Sequence, residues 1–383
     1  MKKQYITGLA FGAAGMLAVF ALMMYLLSTT GFLGLVIWEK SYRLYVILVG
    51  LLGVVSLGLG LFSHVKAIRM ITVAYACLLT VVAIGGSIFV YSLGTRAPEA
   101  LPNLRFYASS DGYLKTEKSI SLAIASDAHF GAASANEEAR NQIMDTVNGG
   151  GYDLFVMGGD LLDLGYDKSH TEMAIRDMEA HLTNVPVHFL MGNHDALVNT
   201  EANFRRYFQP GETNFNHVLE VAPGVHIVVF NLLWGTPDLK KSDVEWLSET
   251  LSKLPEEDTV IVVSHCFYYG SGYVSEGGGK WYDLDGVIKK IVPIFEENGV
   301  DLVLSGHQHS MELMEQNGIY YALVGPFGGS LFEDYEIKTA ANQLFYEGYT
   351  YGFVSLDIAD NALTLTFRDA EGASLYATEI PTR

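Results

Sequence analysis

Two histidines separated by one residue, His307 and His309, follow an apolar run at residues 300–304. Such a run is typical of a buried strand. In an extended chain, residues i and i+2 point to the same side, so both imidazoles are expected side by side where the strand ends. Two such imidazoles are either surface polar groups or a pair of metal ligands. The residues that follow the other strands bear on this choice.

Four further apolar runs end in carboxylate, imidazole or amide side chains. These segments are Asp127-Ala-His129, Gly158-Gly-Asp160 with Asp163 beyond it, Gly192-Asn193-His194-Asp195, and His265. In layered α/β proteins, ligands gather at the carboxyl ends of the strands. Each segment alone is compatible with an ordinary turn, because Gly, Asn and Asp favour turns. Their joint occurrence at strand ends indicates a common site.

Strand and helix patterns alternate through the region that holds these segments. We predict strands at residues 121–126, 152–157, 185–191, 225–230, 259–263 and 302–304, and helices at residues 136–147, 171–182, 242–254 and 286–298. A hairpin is predicted at residues 351–367, with its turn at residues 359–362. Alternating strands and helices are typical of an α/β layered domain.

The N-terminal quarter of the chain is strongly apolar. No charged residue occurs between Gln4 and Trp38, and apolar runs also occupy residues 44–62 and 70–93. Each is about as long as a segment that crosses a bilayer core of roughly 30 Å. We predict about three transmembrane helices in residues 1–94, a linker at residues 95–118 and a second domain at residues 119–383. A cleaved signal peptide is a weaker alternative for the first run, because two further spans follow it.

Basic residues near the predicted spans favour a cytoplasmic N-terminus. Lys2 and Lys3 precede the first span, and Lys66 and Arg69 separate the second from the third. Three crossings would make the protein a multi-pass protein of the cell membrane and place residues 119–383 outside the cytoplasm. A fourth crossing at residues 31–38 would reverse that orientation.

Charge is distributed unevenly along the chain. Residues 1–98 hold seven Lys or Arg residues and one acidic residue, so the net charge of −19 leaves −25 for residues 99–383. A domain with this balance is a poor partner for a phosphate backbone. No nucleic-acid polymer is therefore expected as a partner.

The ordered set of strand-end segments resembles the calcineurin-like metallophosphoesterase superfamily, and the chain looks like a membrane-anchored, bacterial-type member. The resemblance covers about residues 120–367 and implies an α/β fold, a layered β-sheet sandwich flanked by helices. Mixed nitrogen and oxygen ligands suit Mn, Fe or Zn rather than Ca, and seven ligands are too many for one ordinary site. Two metal ions are therefore expected as cofactors.

The resemblance also implies roles for the individual residues. Seven ligands are implied: Asp127, His129 and His309 for one ion, Asn193, His265 and His307 for the other, and Asp160 as the bridge. A hydroxide between the ions would attack phosphorus in line with the leaving oxygen. His194 would contact the phosphate or protonate the leaving group, and Asp195 would orient His194. Asp163 would support the site or cap a helix.

Three features of the sequence can be compared with particular members of this family. Purple acid phosphatases of the family have a Tyr where Asp163 stands, so no purple iron–tyrosinate centre is expected. His194 agrees with the ordinary phosphoesterases rather than with some lipid-precursor pyrophosphohydrolases. The loop after His265 commonly borders the substrate in this family, although an aromatic surface loop is an equal alternative. Its candidate substrate residues are Tyr268, Tyr269, Tyr273, Lys280 and Trp281.

The function expected from these features is hydrolysis of phosphomonoester or phosphodiester bonds by a membrane-anchored enzyme. Lipid-linked or cell-envelope pyrophosphate and phosphodiester compounds are one alternative class of substrate, and soluble nucleotides are another. A non-catalytic metal-binding receptor or scaffold is a third alternative. The ligand set is complete, which disfavours the scaffold. The predicted spans carry no interior charge, which disfavours a transporter.

Overall fold

The computed structural model describes residues 62–94, 100–197, 200–235, 239–274, 280–331, 336–359 and 362–382, together with residues 58 and 98. The chain forms two compact units. Residues 97–196 and 200–383 contribute the larger unit, and helix α1 (Lys66–Gly94) belongs to the smaller one.

Helix α1 contains the third apolar run, at residues 70–93. In the part of the chain that the structure describes, no helix combines the length and the apolarity of a membrane span. The first two predicted spans lie outside the described residues. Transmembrane insertion therefore stays a prediction.

The larger unit is built on two mixed β-sheets. The first has the spatial order β15 (Ser374–Pro381), β14 (Ala362–Asp369), β13 (Gly352–Ala359), β1 (Ser119–Ala125), β2 (Leu154–Met157) and β3 (Val187–Phe189). The second has the order β12 (Gln343–Glu347), β10 (Met311–Gln316), β11 (Ile319–Val324), β9 (Leu302–Ser305), β6 (Thr259–Ser264), β5 (Val225–Val229) and β4 (His217–Ala222). A short ribbon joins β7 (Tyr273–Val274) to β8 (Lys280–Trp281).

The parallel strands of both sheets carry the strand ends of interest. In the first sheet β1 pairs with β2 and β2 with β3 in parallel. In the second sheet β6 pairs in parallel with both β5 and β9. Parallel neighbours end at the same edge of a sheet, so the loops after these strands are brought together.

Helices cover the outer faces of the sheets. They are α2 (Glu137–Gly149), α3 (Lys168–His181), α4 (Glu201–Phe208), α5 (Lys241–Leu251) and α6 (Asp285–Asn298). One apolar core contains residues of both sheets, such as Leu122 and Ile261. A second joins α2 and α3 to the first sheet, and a third joins α5 and α6 to the second sheet. The predicted α/β sandwich flanked by helices is therefore confirmed.

The predicted strands and helices of this unit are all observed, with bounds that differ by a few residues. Asn136 begins the predicted helix at residues 136–147, and in the structure it is the N-cap of α2, because its side chain accepts the Ala139 N–H at 3.0 Å. Part of the predicted linker is packed on the larger unit: Tyr107 is buried and its N–H donates to the Val187 carbonyl at 2.9 Å. The pattern missed α4, β4, β7, β8, β10, β11, β12 and β15.

Candidate active site

Hydrogen bonds donated by main-chain N–H groups connect the loops after β1, β2, β6 and β9. The Asp127 N–H donates to the Gly159 carbonyl at 3.0 Å, within the first sheet's loops. The Gly306 N–H donates to the His265 carbonyl at 3.0 Å, within the second sheet's loops. The His307 N–H donates to the Asp127 carboxylate at 2.9 Å, which joins the two sets.

The first group of predicted ligands converges on one point. The Nε2 atoms of His129 and His309 lie 3.0 Å apart. His309 Nε2 is also 3.4 Å from Asp127 Oδ1. All three side chains are nearly inaccessible to solvent. This is the spacing expected of ligand atoms that share one ion.

The second group converges in the same way. His265 Nε2 lies 3.0 Å from Asn193 Oδ1 and 3.2 Å from His307 Nδ1. Both rings and the amide are buried. Asn193 is thereby brought to the same point as two imidazoles that follow different strands.

Asp160 lies between the two groups. Its Oδ2 atom is 3.2 Å from His265 Nε2 and 3.7 Å from His129 Nε2. Its Oδ1 atom accepts the His194 N–H at 2.8 Å. One carboxylate therefore borders both groups, as a bridging ligand would. We call these seven residues the paired centre.

The backbone of the paired centre is strained. The φ angles are positive at Asp127 (66°), His129 (45°), Asp160 (48°), His307 (70°) and His309 (51°). Side chains disfavour this left-handed conformation by about 1–2 kcal/mol per residue. Strain of this kind persists where the surrounding structure holds it, and it is concentrated at functional sites. Five of the seven predicted ligands are held in this way.

Glycines make room for this backbone. A Cβ atom on Gly192 would lie 2.1 Å from the Asp160 nitrogen and 2.2 Å from Asp160 Oδ1. A Cβ atom on Gly306 would lie 1.9 Å from Ser126 Oγ. Only glycine permits these approaches, which explains why a Gly precedes both Asn193 and His307.

Gly192→Ala is expected to destabilise the protein by about 3 kcal/mol or more, because the added methyl group collides with backbone as well as with a ligand. Thermal unfolding measures the effect as a fall in Tm. The matched control is Gly149→Ala at the end of α2, where an added Cβ meets nothing within 4 Å. Equal melting temperatures for both variants would contradict the close approach at Gly192.

The donor atoms of the paired centre fit metal ions by their chemistry. His265 Nδ1 donates to the Gly158 carbonyl at 3.0 Å, and His309 Nδ1 donates to the Ser330 carbonyl at 2.6 Å. Because a carbonyl only accepts, each Nε2 of the neutral ring presents a lone pair to the centre. Metal-binding histidines are typically oriented by such bonds. Lone pairs of nitrogen and oxygen directed at common points require a positive charge there.

Electrostatics support the same interpretation. Burial alone would raise the pKa of Asp127, but His309 and His265 outweigh it and lower that pKa to about 2. Asp160 is likewise buried, and His265 and His194 hold its pKa well below the usual range. Burial opposes charge on His265, yet Asp160 raises its pKa to about 9. The carboxylates therefore stay ionised and attract positive charge into a buried pocket.

His194 lies beside the paired centre but is more open to solvent. Its Nδ1 atom donates to the Asp163 main-chain carbonyl at 2.7 Å, and its side chain is 35% exposed. The His194 and His129 ring centroids are 4.6 Å apart. The Nε2 atom of His194 thus remains available to a substrate, which suits the predicted contact with a phosphate or leaving group.

Asp195 does not orient His194, contrary to the prediction. Its carboxylate is buried and accepts the N–H groups of Leu162 and Gly192, both at 2.8 Å. Burial and the charge of Asp160 raise the pKa of Asp195 to about 7. The side chain holds two loops together, and the main chain of Asp163 orients the imidazole instead. Although Asp195 directly follows His194 in the sequence, the tight turn directs the Asp195 side chain inward and away from the imidazole.

The five candidate residues of the substrate loop lie in two different environments. Tyr268 and Tyr269 pack on Tyr321 in the third core, and Tyr268 is 1% exposed, so Tyr268 is a core residue rather than a substrate contact. Lys280 is exposed and faces Asp285 at 3.4 Å, and Tyr273 packs beside Trp281. The Trp281 ring lies 4.9 Å from the His307 ring, which places it at the centre's edge.

The sequence interpretation missed Trp234. Its ring lies 5.8 Å from the His307 ring, centroid to centroid. Trp234 follows β5 after Asn231-Leu-Leu, and the residues after that strand lacked the carboxylates and imidazoles that marked the other strand ends. The signal that points to Trp234 is the parallel pairing of β5 with β6, because it places the residues after β5 beside His265.

The chain is similar to known proteins in sequence. The model of the calcineurin-like phosphoesterase family matches residues 120–311. Tartrate-resistant acid phosphatase type 5 of Oryctolagus cuniculus is 26% identical over 232 residues, which cover 53% of this chain and 69% of that protein. The human protein of the same name is 26% identical over 234 residues, with the same coverage of each chain.

Solved structures share the fold. Purple acid phosphatase PPD1 from yellow lupin has a TM-score of 0.59 at 16% identity, covering 70% of this chain and 55% of that chain. GAP50 of Plasmodium has a TM-score of 0.53 at 16% identity, covering 70% and 90%. The chain thus spans little more than half of the lupin protein. With the family match and the paired centre, these likenesses lead to one conclusion: the chain belongs to the calcineurin-like phosphoesterase family and is a metal-dependent phosphoesterase whose family implies a binuclear centre of Fe, Zn or Mn.

Proposed function

We propose that this protein hydrolyses phosphomonoesters or phosphodiesters at the paired centre. The observation that carries the proposal is the convergence of seven side chains in two groups, with Asp160 between them. When bound, two metal ions activate a water molecule and offset the charge of the phosphoryl oxygens. The names of the relatives, acid phosphatases, favour the monoester over the diester.

The chain's own contribution to the reaction lies with His194. The Asp163 carbonyl holds the proton on Nδ1, so Nε2 is the atom that faces a substrate. A neutral ring accepts at Nε2, and a protonated ring donates to the leaving oxygen. The exposure of this ring fits a group that meets substrate rather than one that builds the centre.

Metal removal tests the proposal. We expect the chelated, detergent-solubilised protein to lose hydrolysis of p-nitrophenyl phosphate and of bis-p-nitrophenyl phosphate, and to regain it with Mn, Fe or Zn. The ratio of the two rates defines the preference for monoester or diester. Full activity after complete removal of the metals would contradict the proposal. Binding of the metals without cleavage of either ester would also contradict it.

A second candidate is a substrate with an apolar group, such as a lipid-linked or cell-envelope phosphate compound. Trp281 and Trp234 support it, because both rings lie within 6 Å of the His307 ring. Aromatic rings beside a polar centre bind the apolar part of an ester. These two residues would therefore form the wall that receives the leaving group.

Trp281→Ala is expected to raise KM roughly 2- to 10-fold for an aromatic or long-chain phosphate ester, and to leave KM for glycerol phosphate nearly unchanged. Steady-state kinetics on both esters measures the difference. Trp246→Ala is the matched control, because Trp246 lies on α5 and packs against the third core. An equal rise in KM for both esters would argue against an apolar substrate wall.

We further propose that the N-terminal region anchors the enzyme in the cell membrane with the catalytic unit outside the cytoplasm. The support is the sequence: a charge-free stretch from Gln4 to Trp38 and two more apolar runs. Membrane fractionation and protease accessibility of residues 119–383 in intact cells test this. Release of the protein from the membrane fraction by a high-salt wash would contradict the anchor. Protection of residues 119–383 from external protease would contradict the orientation.

A further inference from the structure

A second cluster of buried metal-ligating side chains shares no residue with the paired centre. It consists of His188, Glu212 and His217, whose donor atoms lie within 4.8 Å of one another. His188 lies in β3 and His217 begins β4, so the cluster connects the end strands of the two sheets. The three residues are at most 8% exposed.

Main-chain carbonyls determine which ring nitrogens carry protons. His188 Nδ1 lies 2.8 Å from the Tyr107 carbonyl, and His217 Nδ1 lies 3.2 Å from the Asn214 carbonyl. A carbonyl only accepts, so both Nδ1 atoms are protonated and both Nε2 atoms of the neutral rings have lone pairs. Yet these two Nε2 atoms are 3.0 Å apart. Two lone pairs at that distance repel unless a positive charge lies between them.

A proton is one candidate for that charge. A metal ion meets the same requirement, and it also accounts for the third donor, since the ligand atoms of His188, Glu212 and His217 all lie within 4.8 Å of one another.

The carboxylate completes the ligand set. Glu212 Oε1 lies 3.8 Å from His217 Nε2. The Ser109 N–H and hydroxyl donate to Oε1 and Oε2 at 2.6 and 2.8 Å, and so orient the carboxylate. Each of the three side chains is thus held by a hydrogen bond from or to a second residue, the arrangement typical of metal ligands.

We propose that His188, Glu212 and His217 bind a third metal ion, of the zinc class, that stabilises the join between the two sheets. Two histidines and a glutamate form a known kind of zinc site. Two nitrogens bound to one tetrahedral zinc ion lie roughly 3.3 Å apart, close to the observed separation of the imidazoles. A water molecule would supply the remaining ligand.

Metal counting on the full chain tests the proposal. After chelation and reconstitution with Zn²⁺, His217→Gln is expected to bind one ion fewer than the wild type and to melt several degrees lower, with kcat changed less than about twofold. The matched control is His226→Gln, because His226 is a largely buried histidine paired with Asp258 at 2.7 Å, outside both clusters. An equal zinc count in His217→Gln and the wild type would overturn the proposal.

A second measurement covers the case in which His217→Gln fails to fold. Asp127→Asn and Asp160→Asn together remove both carboxylates of the paired centre. We expect this double variant to retain one Co²⁺ per chain with visible absorption bands, and to lose it when Glu212→Gln is added. No retained Co²⁺, or Co²⁺ that persists with Glu212→Gln, would overturn the proposal while leaving the proposed hydrolysis untouched.

Discussion

Asp160→Asn is expected to lower kcat for p-nitrophenyl phosphate by roughly 10³-fold or more, since a metal centre supplies several kcal/mol of transition-state stabilisation. Asp160 Oδ2 lies 3.2 Å from His265 Nε2 and 3.7 Å from His129 Nε2, so this carboxylate is common to both ligand groups. The amide keeps the volume and removes the negative charge. Its oxygen can also keep the bond from the His194 N–H, so the loop stays in place.

The measurement combines kcat with metal content in the same preparations. Asp160→Asn is expected to hold fewer metal ions than the wild type after equal reconstitution. The control is Asp145→Asn, whose side chain is 58% exposed and bonds to His181 at 2.7 Å. A variant at Asp160 that keeps both ions and more than about a tenth of the rate would show that Asp160 does not bridge the two groups.

His194→Ala is expected to lower kcat for glycerol phosphate roughly 10²- to 10⁴-fold, the range of general acid catalysis, without loss of metal. The Asp163 carbonyl accepts from Nδ1 at 2.7 Å, which directs Nε2 toward the substrate side. The ring is not one of the seven residues of the paired centre. Metal analysis should therefore separate this variant from Asp160→Asn.

Leaving-group dependence decides which role His194 has. Nitrophenolate leaves without a proton, so the loss for p-nitrophenyl phosphate is expected to be smaller than for glycerol phosphate by roughly tenfold. His181→Ala, on α3, is the matched control and should keep the wild-type ratio. An equal loss for both esters would assign His194 to phosphate binding and contradict its role as an acid.

The sequence by itself determined the order of strands and helices and the polar residues at the strand ends, on which the site depends. The order of strands and helices followed from local patterns, because apolar periodicity reports which face of an element is buried. The polar residues after the strands were visible because each motif, such as Gly192-Asn193-His194-Asp195, is contiguous. Their convergence was predictable, because parallel strands end at a common edge.

Local propensity failed where pairing decided the structure. Met311–Gln316 is rich in residues that favour helices, yet it forms β10 because β11 and β12 pair with it on both sides. Tyr268 resembled a substrate contact by its place after His265, and the third core buries it. These outcomes depend on residues distant in sequence, which no local pattern contains.

The tertiary structure alone decided the finer assignments. It directed Asp195 to the backbone of two loops and brought Trp234 beside His307. It also joined His188 to His217, 29 residues apart, at the end strands of two sheets. The physical reason is common to all three: side-chain direction at a turn and contact between sheets are set by packing, whereas the sequence reports only residue type and order.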